Sequence, residues 1–288
     1  MRSCDPPFRG LIIGDFGLNF KSIFVIFCSA ILFFIAIIIF LPFLVLDLPP
    51  ALTYLQFTWP FLLILVLFFV GFNAFYFTNR QLFLLLEKED WPALSRHLED
   101  RIIKKGRYSP QLVRLLAKTY LLLSDTAAVM SLENKVAIAK PAIIGRNVLI
   151  FGTARILGKD ISGAVRFFKA YRETAKGELR EWVNWYYGFT LLLDHQYEEA
   201  GKEFSVLARV SKDGIITGLS SFFLAENLAY LLPDKKRELT EIALSGRERT
   251  QKILPERNWK TESVRLSSDI HIAAITKYLE EAGLWLYR

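Results

Sequence analysis

The chain has 288 residues, 52% of them hydrophobic, and a formal net charge of +7. Its only cysteines are Cys4 and Cys28, the second inside an apolar stretch, which excludes a disulfide-built scaffold. Charge is unevenly placed: the first 78 residues hold three Lys/Arg and three Asp/Glu, so the other 33 and 26 put the whole net charge in the C-terminal part.

Residues 1–21 form a short leading segment. Between Lys21 and Asp47 stand 25 consecutive uncharged residues, SIFVIFCSAILFFIAIIIFLPFLVL, enough to cross a hydrocarbon layer of ~30 Å as a helix. This first span, about 22–46, is too long for a signal-peptide core. It is followed by Pro49 and Pro50 rather than by a small-residue cleavage site, so it is expected to be retained. The next charge-free run contains WPFLLILVLFFVGFNAFYF and supplies a second span, about 55–77, with Trp59 and Tyr76 near its ends. Residues 22–77 are therefore expected to be a transmembrane hairpin integral to the cell (inner) membrane. The connection carries no Lys or Arg, whereas Arg2, Arg9 and Lys21 precede the first span and Arg80 and Lys88 follow the second. The positive-inside rule then puts both termini in the cytoplasm, with a periplasmic placement of the large domain as the alternative.

From residue 78 to 288 apolar residues recur at helical spacing in segments of 12–18 residues, with no sustained alternation of period two, so the domain reads as all-α. Turn signals separate the segments, among them Ser124-Asp125, Gly158-Lys-Asp160, Asp194-His195-Gln196 and Lys212-Asp-Gly214. At fixed offset the chain is self-similar. Gly152, Ala164 and Phe168 reappear 36 residues later as Gly188, Ala200 and Phe204, and Ala128/Leu132 and Leu94/Leu98 continue the register toward the N-terminus.

This pattern resembles the tetratricopeptide repeat, a helix pair of about 34 residues with a small residue in the first helix and Ala plus a large apolar residue in the second. The resemblance covers about 78–210 well and 213–288 loosely; Asn184 and Leu191 stand where the family has Trp and Tyr. It implies an α-solenoid in which glycine admits the neighbouring helix and Phe fills the space between pairs. If Leu94 and Leu98 lie on a second helix, its first helix is about 74–88, continuous with the second span. Further helices are expected over 215–231, 235–252 and, as a last one, 261–286.

The chain carries no sign of an enzyme. His97, His195 and His271 lie on unrelated segments, and there is no glycine-rich phosphate loop, H-E-x-x-H, C-x-x-C or G-x-S-x-G, so no catalytic residue, cofactor or metal is assigned. The basic runs at 101–107 and 234–238 lack aromatic interleaving, which argues against nucleic acid; those near Lys104 are expected either to meet anionic lipid headgroups or to form a solvated helix face.

Groove positions of the resembling family fall on Trp182, Trp185, Phe189, Leu192 and Leu193 in one unit and on Arg146, Leu149, Thr153, Ile156 and Leu157 in the one before, with Arg114 nearby. The lysine and asparagine of that family's carboxylate-binding subset are not matched, so an apolar or helical protein segment is the expected partner. Alternatively the aromatic stretch EWVNWYYGF is packed inside by the final helix. The sequence thus points to a membrane-anchored scaffold for protein–protein interaction and complex assembly, of a bacterial secretion, pilus or flagellar type. The rival reading is an integral subunit whose hairpin, with Gly71 and Asn73, packs into a larger membrane complex.

Overall fold

The computed structural model describes residues 20–45 and 48–288. Arg2, Cys4, Arg9 and Asp47, used above for cysteine chemistry and orientation, lie outside the described residues. The described chain is all-α, without a strand, and it divides into two compact units with the division between His97 and Leu98.

The first unit is built on α1 (Phe20–Val45) and α2 (Leu48–Glu87), which pack side by side. Their contact is aromatic: Phe24 stacks on Tyr76 with centroids 3.7 Å apart, and Phe27 lies 4.7 Å from Phe72. Asn73 donates to the carbonyl of Phe69 at 2.8 Å and lies 3.9 Å from Cys28 Sγ, while a side chain added at Gly71 would meet nothing within 4 Å. α2 runs unbroken for 40 residues to Glu87, so the expected helix over about 74–88 and the second apolar stretch are one helix. Lys21–Val45 in α1 and Gln56–Glu87 in α2 are long and apolar enough to cross a membrane, with mean hydropathy 3.3 and 2.3. Almost none of either is buried, which is the opposite of what a water-soluble helix with those side chains does.

A short α3 (Trp91–Glu99) runs into a π-helical turn, Asp100–Lys104. The second unit then continues with α4 (Pro110–Leu122), α5 (Thr126–Ala139), α6 (Ala142–Arg146), α7 (Val148–Leu157), α8 (Ile161–Tyr171), α9 (Gly177–Leu193) and α10 (Tyr197–Val210). After these come α11 (Gly214–Phe223), a π segment Leu224–Leu228, α12 (Ala229–Leu231), α13 (Lys236–Ile253), α14 (Glu256–Ser267) and α15 (Thr276–Tyr287). From α7 to α11 each helix packs on the next, and α11 also packs on α13 and α15.

One connection recurs four times. Glu89, Ser124, Lys159 and His195 each adopt the left-handed backbone conformation, at intervals of 35, 35 and 36 residues. In each case the next N–H reaches back five residues to a helical carbonyl: Asp90 to Leu85, Asp125 to Tyr120, Asp160 to Arg155 and Gln196 to Leu191. This six-to-one bond closes the helix end. At the first three turns that same next residue is an aspartate accepting an N–H of the following helix, Ala93, Ala128 or Gly163, so one residue ends a helix and starts another.

At the repeated glycines it is the phenylalanine of the following helix, rather than its alanine, that lies against the open face. A Cβ at Gly188 would stand 3.2 Å from the Phe204 ring, and one at Gly152 would collide with the Phe168 ring. Ala164, Phe168, Ala200 and Phe204 are fully buried, as are Leu94, Leu98 and Leu132. The stretch Gly214–Leu231 is also apolar enough to cross a membrane, yet it is largely buried among α10, α13 and α15. Thr217, Ser220 and Ser221 on it turn their hydroxyls back to carbonyls four residues earlier, at 2.7–2.8 Å, which satisfies them without water.

The expectation of one last helix over 261–286 is corrected. The segment is α14, a turn of 3₁₀ helix at Ile270–Ala274, and α15. The break falls at Ser267-Ser268-Asp269, polar residues whose side chains compete for backbone groups; Ser268 donates to the Arg265 carbonyl at 2.6 Å.

Candidate functional site

That break decides the fate of the expected groove. The Ile270–Ala274 turn packs on α7, and the Tyr186 hydroxyl donates to the His271 carbonyl at 2.6 Å, as the Thr153 hydroxyl does at 3.4 Å. The Trp182 indole meets the His271 ring edge-on at 5.7 Å, and Phe189 meets Tyr278 at 5.7 Å. Trp182, Trp185, Phe189 and Leu192 are therefore buried, Trp185 completely. The expectation that these four present an open partner-binding face is overturned: the C-terminal segment occupies that side of α9. Trp185 stacks on Phe189 at 5.3 Å and lies 6.0 and 5.9 Å from Phe204 and Phe223, in the centre of an aromatic core. Ile156 is half-buried and lines neither of the two clefts described below.

The other expected residues do reach open surface. Arg114 of α4 and Arg146 of α6 line, with Lys118 and Asn147, a depression of about 530 Å³, which deepens into a pocket of about 180 Å³ reaching Leu149, Leu179, Asp269 and His271. Asn147 is buried and donates through Nδ2 to the carbonyls of Pro110 and Ile143, at 3.2 and 3.1 Å. Its Oδ1 is thereby aimed at Arg114 Nε, 3.1 Å away, while Arg114 Nη2 donates to the Arg146 carbonyl at 3.2 Å. The Arg114 guanidinium is held in place with donors to spare. Lys118 pairs with Asp269 at 3.3 Å, and the Arg146 guanidinium has no partner among the described residues.

Across Leu149, Leu179 and His271 lies a second cleft of about 450 Å³, and it has the opposite charge. Glu178, Asp213, Glu262 and Asp269 line it against the single cation Arg265, with Trp182 in its wall. Asp213 caps α11, accepting from Ile215 and Ile216 at 2.8 and 3.2 Å. Burial raises its carboxyl above the ordinary carboxylate range; those two N–H groups pull it back, and Glu181 and Glu178 push it up further. His271 stands between the two clefts, its Nε2 sealed and unpartnered. Burial pushes its pKa down to about 4, with Asp269 opposing the shift and Lys118 and Arg114 adding to it. Lys118, Asp269, Glu178 and Glu262 escaped the sequence reading, which took Asp213 only as a turn residue and His271 as an isolated histidine, because these groups come together only once the chain turns back at Ser268.

A family model described as "Uncharacterised Treponema protein" matches residues 128–288. The chain belongs to this Treponema family. It is also 26% identical over 238 residues to an uncharacterized protein of Treponema pallidum (strain Nichols), an alignment that covers 79% of this chain and 74% of the relative. No solved structure matches. The family region contains the aromatic core, Arg146 and every residue of the acidic cleft, whereas Arg114 and Lys118 lie before it.

Proposed function

We propose that this member of the Treponema family is a non-enzymatic docking protein anchored in the bacterial inner membrane by the α1–α2 hairpin, with a tetratricopeptide-like helical domain that holds a partner protein. The observation that carries the reading is the contrast in burial. Most apolar side chains of α1 and α2 point outward, which only a lipid or protein environment makes favourable, whereas the large majority of those from residue 91 onward point inward. The four like turns at 35–36 residues and the Gly152–Phe168 and Gly188–Phe204 pairs support a solenoid of stacked helix pairs. A tethered solenoid raises the effective concentration of its docking surface near membrane partners. The setting in this proposal is assembly of an envelope complex, with the helical domain in the cytoplasm.

Two fusions test this. A reporter active only in the cytoplasm, placed after Arg288, should be active; an intact but silent fusion moves the domain to the periplasm. Replacing residues 20–87 by an unrelated two-helix anchor should keep partner binding. Loss of binding with the replacement correctly inserted favours the second reading, in which the hairpin is itself the subunit contact; Asn73, facing Cys28 across the α1–α2 pair, is the observation behind it.

A further inference from the structure

The two clefts lie on either side of one wall, and their charges are opposite. We propose that together they form one docking site for a protein segment with segregated charge: an acidic end for Arg114 and Arg146, an apolar middle for Leu149 and Leu179, and a basic end for Glu178, beside which Glu262 is already paired with Arg265 at 2.6 Å. This rests on the docking reading above and names the chemistry of the partner.

The argument is one of complementarity and of unmet demand. Arg146 and Glu178 are exposed, and neither has an ion-pair partner among the described residues. Arg114 is already oriented by Asn147, so a carboxylate reaching it would not have to order a flexible guanidinium. Leu149 and Leu179 are half-buried and line both clefts, so a segment crossing from one to the other would cover them. A ligand of one sign meets like charge in the adjoining cleft, at a cost in free energy that a charge-segregated ligand avoids. For that reason a phosphate group or a polyanion is disfavoured, since it would satisfy the basic cleft alone and face Glu178, Asp213 and Glu262 beside it.

The experiment uses the full-length protein in a non-ionic detergent and fluorescein-labelled synthetic peptides of equal length. Two carry glutamates at one end, leucines in the middle and lysines at the other, in opposite chain directions. Two more carry only glutamate with leucine or only lysine with leucine, and inorganic phosphate serves as competitor. One charge-segregated peptide should bind about tenfold more tightly than either single-sign peptide. Arg146→Glu should weaken it by a similar factor and be rescued by a peptide whose glutamates are changed to lysine; Glu178→Lys should behave as the mirror image. Both side chains are exposed, and circular dichroism checks that the fold is kept. Equal binding of a single-sign peptide, displacement by phosphate at low millimolar concentration, or charge swaps without effect would overturn the charge pattern and leave the docking reading standing. Binding of none of the four peptides would overturn both.

Discussion

Phe57 and Trp185 are large aromatic side chains on long helices, and they end in opposite places. Phe57 on α2 is 82% exposed, whereas Trp185 on α9 is fully buried. Neither residue type nor helix length decides this. The helix that carries Phe57 is predominantly apolar from Gln56 onward, with a mean hydropathy of 2.3 and few charges, so it needs an apolar surround. α9 begins with Glu178, Arg180 and Glu181, and its polar first turn lets the remainder face neighbours that shield it. Gly214–Leu231 makes the lesson sharper: it too is long and apolar enough to cross a membrane, but its apolar residues are matched by α10, α13 and α15.

The largest expected effect comes from breaking the inward-facing region at its centre. Trp185→Ala removes the ring that touches Phe189, Phe204 and Phe223 and should destabilise the second unit by about 3–5 kcal/mol, whereas Phe57→Ala should leave it unchanged. Thermal unfolding of the full-length protein in detergent, followed by near-ultraviolet circular dichroism, measures both. A Trp185→Ala protein melting like the parent would remove Trp185 from the core.

Next comes the outward-facing region. Leu67, 61% exposed in the middle of α2, should tolerate arginine badly if it faces lipid, at a cost of about 3 kcal/mol for insertion. Resistance of the protein to extraction from membranes at alkaline pH reads this out. A Leu67→Arg protein that stays as firmly integrated as the parent contradicts the span.

The contrast between buried and exposed also carries a pH dependence. His271 has its pKa lowered from 6.5 to about 4, so the unfolded chain binds a proton that the folded chain refuses. Stability from this group is complete above the unfolded value and is lost as pH falls from about 6.5 toward 4, by on the order of 3 kcal/mol. Unfolding of the parent and of His271→Gln at stepwise pH isolates it from the carboxylates titrating in the same range. Parallel profiles across that window would mean that the ring is solvated.

Much of this was legible in the sequence and some was not, for physical reasons. The two long apolar helices, the continuation of α2, and the 36-residue register of the Gly152 and Gly188 units follow from local composition and fixed spacing, which short-range packing obeys. The filled side of α9 does not. Whether Trp182 and Phe189 line a groove or a core depends on where residues some 85 positions later fold back, and the only local sign is the Ser-Ser-Asp cluster before Ile270. Charge separation between the clefts has the same origin, since Asp269 reaches Lys118 across a sequence distance of 151 residues.

The smallest effect distinguishes one repeat turn from its neighbours. Asp125 and Asp160 each place a carboxylate oxygen 2.9–3.1 Å from an N–H of the next helix. Gln196, at the matching position before α10, makes no such cap and instead donates to Asp194 at 2.6 Å. If the four turns are equivalent in energy as well as in geometry, Gln196→Asp should stabilise the second unit by about 0.5–1 kcal/mol and Asp125→Ala should destabilise it by about 1 kcal/mol. The gain is offset in part by the lost Asp194 contact and by the proximity of two carboxylates, which is why the smaller figure goes with the added cap. Chemical unfolding of the two variants beside the parent decides the point. A Gln196→Asp protein less stable than the parent would show that the fourth turn, despite its shared backbone, is held by His195 and Tyr197, whose side chains lie 2.6 Å apart, rather than by a cap it lacks.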